Sequence, residues 1–172
     1  MSADRPHYSK SMIVLHWTTA VFVFVAYLLS EGEQRVRDAP PMLHFAFGLA
    51  VLLLVVPRLI SRALGGAPPL ERAGGIWLTR AAKWGHGALY LLLIAVPVTG
   101  SYAASRLGVQ RSIFGFTLPH IAAAVDGEPG LLAELHPLGG NILLVLAAAH
   151  AAMALWHHFV RHDNTLRRMT RF

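Results

Sequence analysis

Residues 135–160, LHPLGGNILLVLAAAHAAMALWHHFV, run for 26 residues with no charged side chain other than histidine. A helix needs about 20 residues to cross a hydrocarbon core of about 30 Å. Lipid cannot satisfy an open strand edge, so a stretch of this kind spans as a helix. His136 and His150 lie 14 residues apart in it. On a helix that is about 21 Å of rise and only about 40° of rotation. One helix face therefore carries a histidine near each membrane surface. Ionisable groups inside a span are costly and mark function by default.

Three further runs are long enough to span: MIVLHWTTAVFVFVAYLL at 12–29, APPMLHFAFGLAVLLLVVP at 39–57 and WGHGALYLLLIAVPVTGSYAAS at 84–105. The expected fold is an all-α membrane protein. Four transmembrane helices, about 12–30, 39–62, 82–105 and 135–161, form one domain over residues 1–172. Composition agrees: 55% of the 172 residues are hydrophobic and 14% charged, against about 45–50% and about 25% in soluble domains. That excludes a disordered chain or an ordinary soluble enzyme. There is no cysteine, which excludes disulfides, thiolate metal sites and iron–sulfur clusters. The first run follows basic Arg5 and Lys10, as a secretory leader does. Its 18 apolar residues exceed the usual leader core, and YLLSEGEQ is a poor cleavage site, so it is expected to remain as a helix. Residues 112–125 are too few to span and contain Gly115 and Pro119. They are expected to form a loop at the interface with a short amphipathic helix.

The net charge of +6 follows topology and does not point to nucleic acid. Eleven of the 15 Lys and Arg lie before the first run, between the second and third, or after the fourth, and the other two loops hold four. Those two loops also hold six of the nine acids. The positive-inside bias places both termini and the middle loop in the cytoplasm. The chain is thus expected to cross its membrane four times. LGGAPPLERAGG at 64–75 reads as a flexible cytoplasmic hinge between two helical hairpins.

Five histidines, His16, His44, His86, His136 and His150, lie in or at the edge of a run. With this topology His44 and His136 share the outer depth, while His16, His86 and His150 share the inner one. Two histidines facing each other across a bundle, without carboxylate or cysteine, suit a haem iron. Structural zinc wants four ligands and catalytic zinc three plus water, whereas axial haem ligation needs two. Small residues that would make room stand near these histidines: Gly48, Gly139, Gly140 and alanines around His150. Spacing alone leaves three candidates for two inner positions. His157 follows His150 by seven residues on nearly the same face, beside Trp156 and His158. This group reads either as an interfacial anchor or as a quinone head-group site, where histidine donates a hydrogen bond or proton. Lys83 and Trp84 are candidates to line the same site. His7, His120 and His162 read as surface residues.

SKSMIVLHW at 9–17, HFAFG at 44–48, GHGALYLLLIAVPVTG at 85–100 and HAAMALWHHFVRHDNTLRRM at 150–169 together resemble the bacterial cytochrome b561 family. The resemblance covers all four helices, and the tail pattern AxxHHxxxxDNTLxRM is specific. It implies two non-covalent b-type haems, with iron ligands at His16, His44, His136 and His150. The outer pair would be His44 with His136 and the inner pair His16 with His150. His86 would then lie near a propionate or the quinone, and His157 would be the quinone-side histidine.

The short members of the family oxidise superoxide to dioxygen outside the membrane and pass the electrons to ubiquinone. That activity is the expected function, with superoxide, quinone and the lipid bilayer as partners and no obligatory protein partner. Outer Arg35, Arg37, Arg106 and Arg111 are available to steer the anion. The competing expectation is an electron-transfer anchor subunit serving a periplasmic dehydrogenase. A small transporter is weaker, because no Asp or Glu occurs in any run. Residues 118–135, in the outer loop, match the family least.

Overall fold

A computed structural model describes residues 8–30, 41–65, 75–113 and 115–170. Four helices carry the fold: α1 (Lys10–Leu28), α2 (Met42–Gly65), α3 (Gly75–Arg106) and α4 (Leu131–Phe159). Each is long and apolar enough to cross a membrane. Ser9 caps α1, its hydroxyl accepting from the Met12 backbone N–H at 3.3 Å. The helices are apolar around their whole circumference. Leu53, Leu91 and Val145 stand 64%, 68% and 67% exposed, which in a bilayer is contact with lipid.

The buried core is small: Val51, Val55, Leu93 and Leu143, with Phe22, Tyr90 and Val96 packed around it. α1 packs chiefly on α2, and α3 on α4. The two pairs meet along α2 and α3, while α1 and α4 barely touch. The bundle thus leaves a gap in front of α4, and the histidines of the other helices reach across it. His7, Arg35, Arg37 and most of the expected hinge lie outside the described residues.

Three features depart from the sequence reading by a helical turn or more. α3 begins at Gly75, two turns before the expected start, because Trp77, Leu78, Ala81 and Ala82 continue the helix through Arg80 and Lys83. At about 48 Å it outruns a hydrocarbon core of about 30 Å, so those two charges sit beyond the lipid. α4 likewise begins four residues early, at Leu131, after Gly130 in a left-handed conformation (φ 90°).

The third difference is the expected amphipathic helix. Its place is taken by an antiparallel hairpin of β1 (Arg111–Ile113) and β2 (Phe116–Leu118), pairing Arg111 with Leu118 and Ile113 with Phe116. Gly115 turns it with φ 84°, a conformation costly for any residue with a Cβ, and Pro119 supplies no N–H to continue a helix. The hairpin marks the loop end of the bundle; the start of α1 and the end of α4 mark the other, the termini end.

Candidate functional site

At the loop end a cavity of about 600 Å³ opens between all four helices, a volume within the range of cofactor sites. His44 and His136 face each other in its wall with ring centres 5.8 Å apart. His44 Nδ1 donates to the Ala26 carbonyl at 2.8 Å, and His136 Nδ1 to the Val96 carbonyl at 2.9 Å. A carbonyl only accepts, so both rings carry the proton on Nδ1 and leave Nε2 with its lone pair. Metal-binding histidines are typically anchored in this way, with the second ring nitrogen donating to a carbonyl or carboxylate.

Glycines shape the cavity. A Cβ on Gly100 would lie 2.6 Å from His136 Cε1, so the absent side chain is the slot the ring occupies. Gly48 and Gly140 line the cavity and have nothing within 4 Å of a Cβ. Gly139 does a different job from the one expected. Its Cβ would meet Val96 Cγ2 at 3.1 Å, so it serves the close approach of α3 and α4. Tyr27 donates to Asn141 Oδ1 at 2.9 Å across the cavity.

The other histidine cluster is at the termini end. His150 has His16 at 6.3 Å and His86 at 5.2 Å between ring centres. His86 Nδ1 donates to the Ala82 carbonyl, one turn back, at 2.6 Å. His16 Nδ1 is 2.6 Å from an Arg58 Nη. A guanidinium only donates, so here Nδ1 accepts and the proton sits on Nε2. Two metal–imidazole bonds of about 2 Å each, plus two ring half-widths, need roughly 6 Å between ring centres. The His44–His136 and His16–His150 spacings meet this; the His86–His150 spacing is short of it. In spacing each pair has room for a metal between its rings, and in donor form the loop-end pair, with Nδ1 of both rings on a carbonyl, presents two bare Nε2 atoms.

Below His150 the tail folds back under the bundle. His157 is bonded through Nδ1 to Asp163 Oδ2, and Asp163 Oδ1 accepts from the Thr165 N–H at 2.9 Å. Burial pushes the Asp163 carboxyl up, but the bonds from His157 and Thr165 outweigh it and hold the group below the ordinary carboxylate value. His162 makes the turn with φ 54°. Trp17 Nε1 donates to the Met169 carbonyl at 2.8 Å, tying the tail to α1. The Arg161 guanidinium lies 5.3 Å over Trp156. Lys83 and Trp84 are exposed on α3, Trp84 by 79%, and neither is joined to His157 by a hydrogen bond or ring contact among the described residues.

Of the arginines expected outside, Arg106 and Arg111 are among the described residues, and neither is a free surface charge. Arg111 is 3% exposed, its Nη bonded to the Pro119 carbonyl at 2.7 Å and to Ser105 Oγ at 3.3 Å. Burial lowers its pKa from the ordinary value. Arg106 is spent on the carbonyls of Pro129 and Ala123, both at 3.2 Å. Sequence reasoning missed Arg58, Gly100 and Asp163. Arg58 follows the last apolar residue of its run and counts there as one of the flanking charges. The Asp of DNTL was visible but suggested no partner.

Residues 7–172 match the family described as prokaryotic cytochrome b561. The chain is 32% identical to cytochrome b561 homolog 1 of Escherichia coli (strain K12) over 168 residues, 94% of this chain and 96% of that one. It is 31% identical to the probable superoxide oxidase CybB of Yersinia pestis over 166 residues, 94% of each chain. It is also 32% identical to cytochrome b562 of Cereibacter sphaeroides over 178 residues, 98% of each chain. With four membrane-spanning helices and this match along nearly its whole length, the chain belongs to the prokaryotic cytochrome b561 family, multi-pass inner-membrane proteins that carry electrons on b-type haem.

Proposed function

We propose that this protein oxidises superoxide on the periplasmic side and delivers the electrons to ubiquinone on the cytoplasmic side. In this reading His44 and His136 hold one b-type haem at the loop end, and His16 and His150 hold a second at the termini end. Two superoxide anions, one quinone and two protons give two dioxygen molecules and one quinol. The observation that carries the reading is the outer pair: two imidazoles on different helices, each with Nδ1 fixed on a carbonyl and Nε2 bare, facing each other across an apolar cavity. The relative named a probable superoxide oxidase supports the substrate. The excess of Lys and Arg at the termini end supports the orientation.

Bound haem supplies one-electron transfer, and the protein supplies position and surroundings. Ala26 and Val96 fix the imidazoles through their carbonyls. The cavity wall of Val23, Val51 and Leu143 keeps the site dry. His157, with Nδ1 committed to the Asp163 carboxylate, has Nε2 left to meet a quinone carbonyl and pass a proton to the reduced ring. Arg111 and Arg106 are tied down, so any steering of superoxide by these two comes from fixed charges.

A pyridine haemochrome assay is expected to give two haems per chain, and one or none overturns the assignment. Rapid mixing of the purified protein with superoxide and then quinone tests the activity. Superoxide should reduce the haem band and quinone should reoxidise it. In His157→Ala, haem content and reduction should be unchanged and reoxidation slower by about 10²-fold, the usual weight of a positioned proton donor. Slow reduction with normal reoxidation would instead move the quinone site elsewhere.

A second reading, the anchor subunit of a periplasmic dehydrogenase, has one observation in its favour. Phe116 and Ile121 stand 77% and 57% exposed on and beside the hairpin. Isolation with a stoichiometric partner chain and no reaction with superoxide would select it.

A further inference from the structure

Among the described residues Arg58 has no anionic partner. Its Nε is closed off from solvent and has no hydrogen-bond partner, although buried polar groups are nearly always paired. Its guanidinium lies 5.3 Å from the centre of the Tyr90 ring, and that of Arg62, one turn on, lies 5.9 Å from the same ring. Two like charges thus converge on one aromatic group, and no carboxylate among the described residues pairs with either. One of its Nη atoms meets His16 Nδ1 at 2.6 Å, an imidazole acceptor and not an anion.

One ligand chemistry answers this unpaired guanidinium: a carboxylate on the cofactor itself. Haem carries two propionates, and a guanidinium binds a carboxylate in a two-pronged, charge-assisted pair. We propose that Arg58, with Arg62 and Tyr90, receives a propionate of the termini-end haem. This rests on the reading that His16 and His150 hold that haem. A lipid phosphate would offer Arg58 similar chemistry, and the test separates the two.

The full-length protein is produced without haem in a phosphate-free detergent, then loaded with haem or with haem dimethyl ester, whose carboxylates are masked. Haem loss to apomyoglobin is followed. With haem, Arg58→Gln should speed the loss of one of the two haems about tenfold, the weight of one charge-assisted bond. Arg58→Lys should recover part of it. With the ester, the wild-type protein should already lose that haem fast and Arg58→Gln should add nothing. Should Arg58→Gln fail to fold, Arg62→Gln should show a smaller change in the same direction. Equal acceleration with haem and ester, or none with either, overturns the proposal. So does wild-type loss that matches the variant in detergent and slows when anionic phospholipid is added, since the anion is then a lipid. Retention of both haems in His16→Ala instead overturns the ligand reading on which the proposal rests.

Discussion

Replacing Gly100 with alanine is expected to strip the loop-end haem from a chain that still folds. The added Cβ would sit 2.6 Å from Cε1 and 2.8 Å from Nδ1 of His136. Carbon contacts settle near 3.5–4.0 Å, so the ring must withdraw by about 1 Å. Metal–ligand distances tolerate about 0.2 Å. The ring is also held by its bond to the Val96 carbonyl, worth about 1 kcal/mol, on the same helix as Gly100. Against this, alanine is favoured over glycine in a helix interior by about 1 kcal/mol. Fold stability therefore changes little while the ligand moves out of range. Haem content should fall from two to one per chain, with the unfolding temperature of the haem-free protein nearly unchanged. Gly87→Ala is the control, since nothing lies within 4 Å of its Cβ. Two haems retained in Gly100→Ala would mean that the ring has room to spare.

The termini-end cluster yields a second large effect. His16→Ala should lose one haem, whereas His86→Ala should keep both. The choice is not obvious from proximity, because His86 is nearer to His150. It follows from what an iron between two imidazoles requires. The 6.3 Å spacing to His16 accommodates two metal–nitrogen bonds, and the 5.2 Å spacing to His86 is short for them. Absorbance spectra and haem counts of the two variants decide the matter. Haem lost from His86→Ala and retained in His16→Ala would reverse the pairing.

What the sequence makes legible here follows from what is local. Length and apolarity fix four helices, because a span must satisfy its own backbone. The 14-residue step from His136 to His150 fixes two depths on one helix. Other features arise between elements. The role of Gly100 exists only because a ring from α4 enters α3. Arg58 lies within the expected second helix but just past the apolar run that stops at Pro57, and it counts there as one of the flanking charges, yet α2 carries its guanidinium to His16. The start of α3 was hidden by Arg80 and Lys83, charges that end a lipid-buried segment without ending a helix. The hairpin at 111–118 was foreshadowed by Gly115 among Ile113, Phe116 and Thr117, a strand-and-turn pattern within a run too short to span.

The tail contact has a consequence for the order of assembly. Trp17 and Met169 are separated by 152 residues, so the clasp between them forms only after all four helices have been made. α4 brings His136 and His150, and each cluster lacks its shared partner until that helix is made. The first three helices can enter the membrane as they emerge, but neither histidine pair exists before the fourth. Maturation of such a chain therefore waits on its fourth helix: a bundle inserted early, completed by α4, and fastened to its first helix by the segment that follows α4.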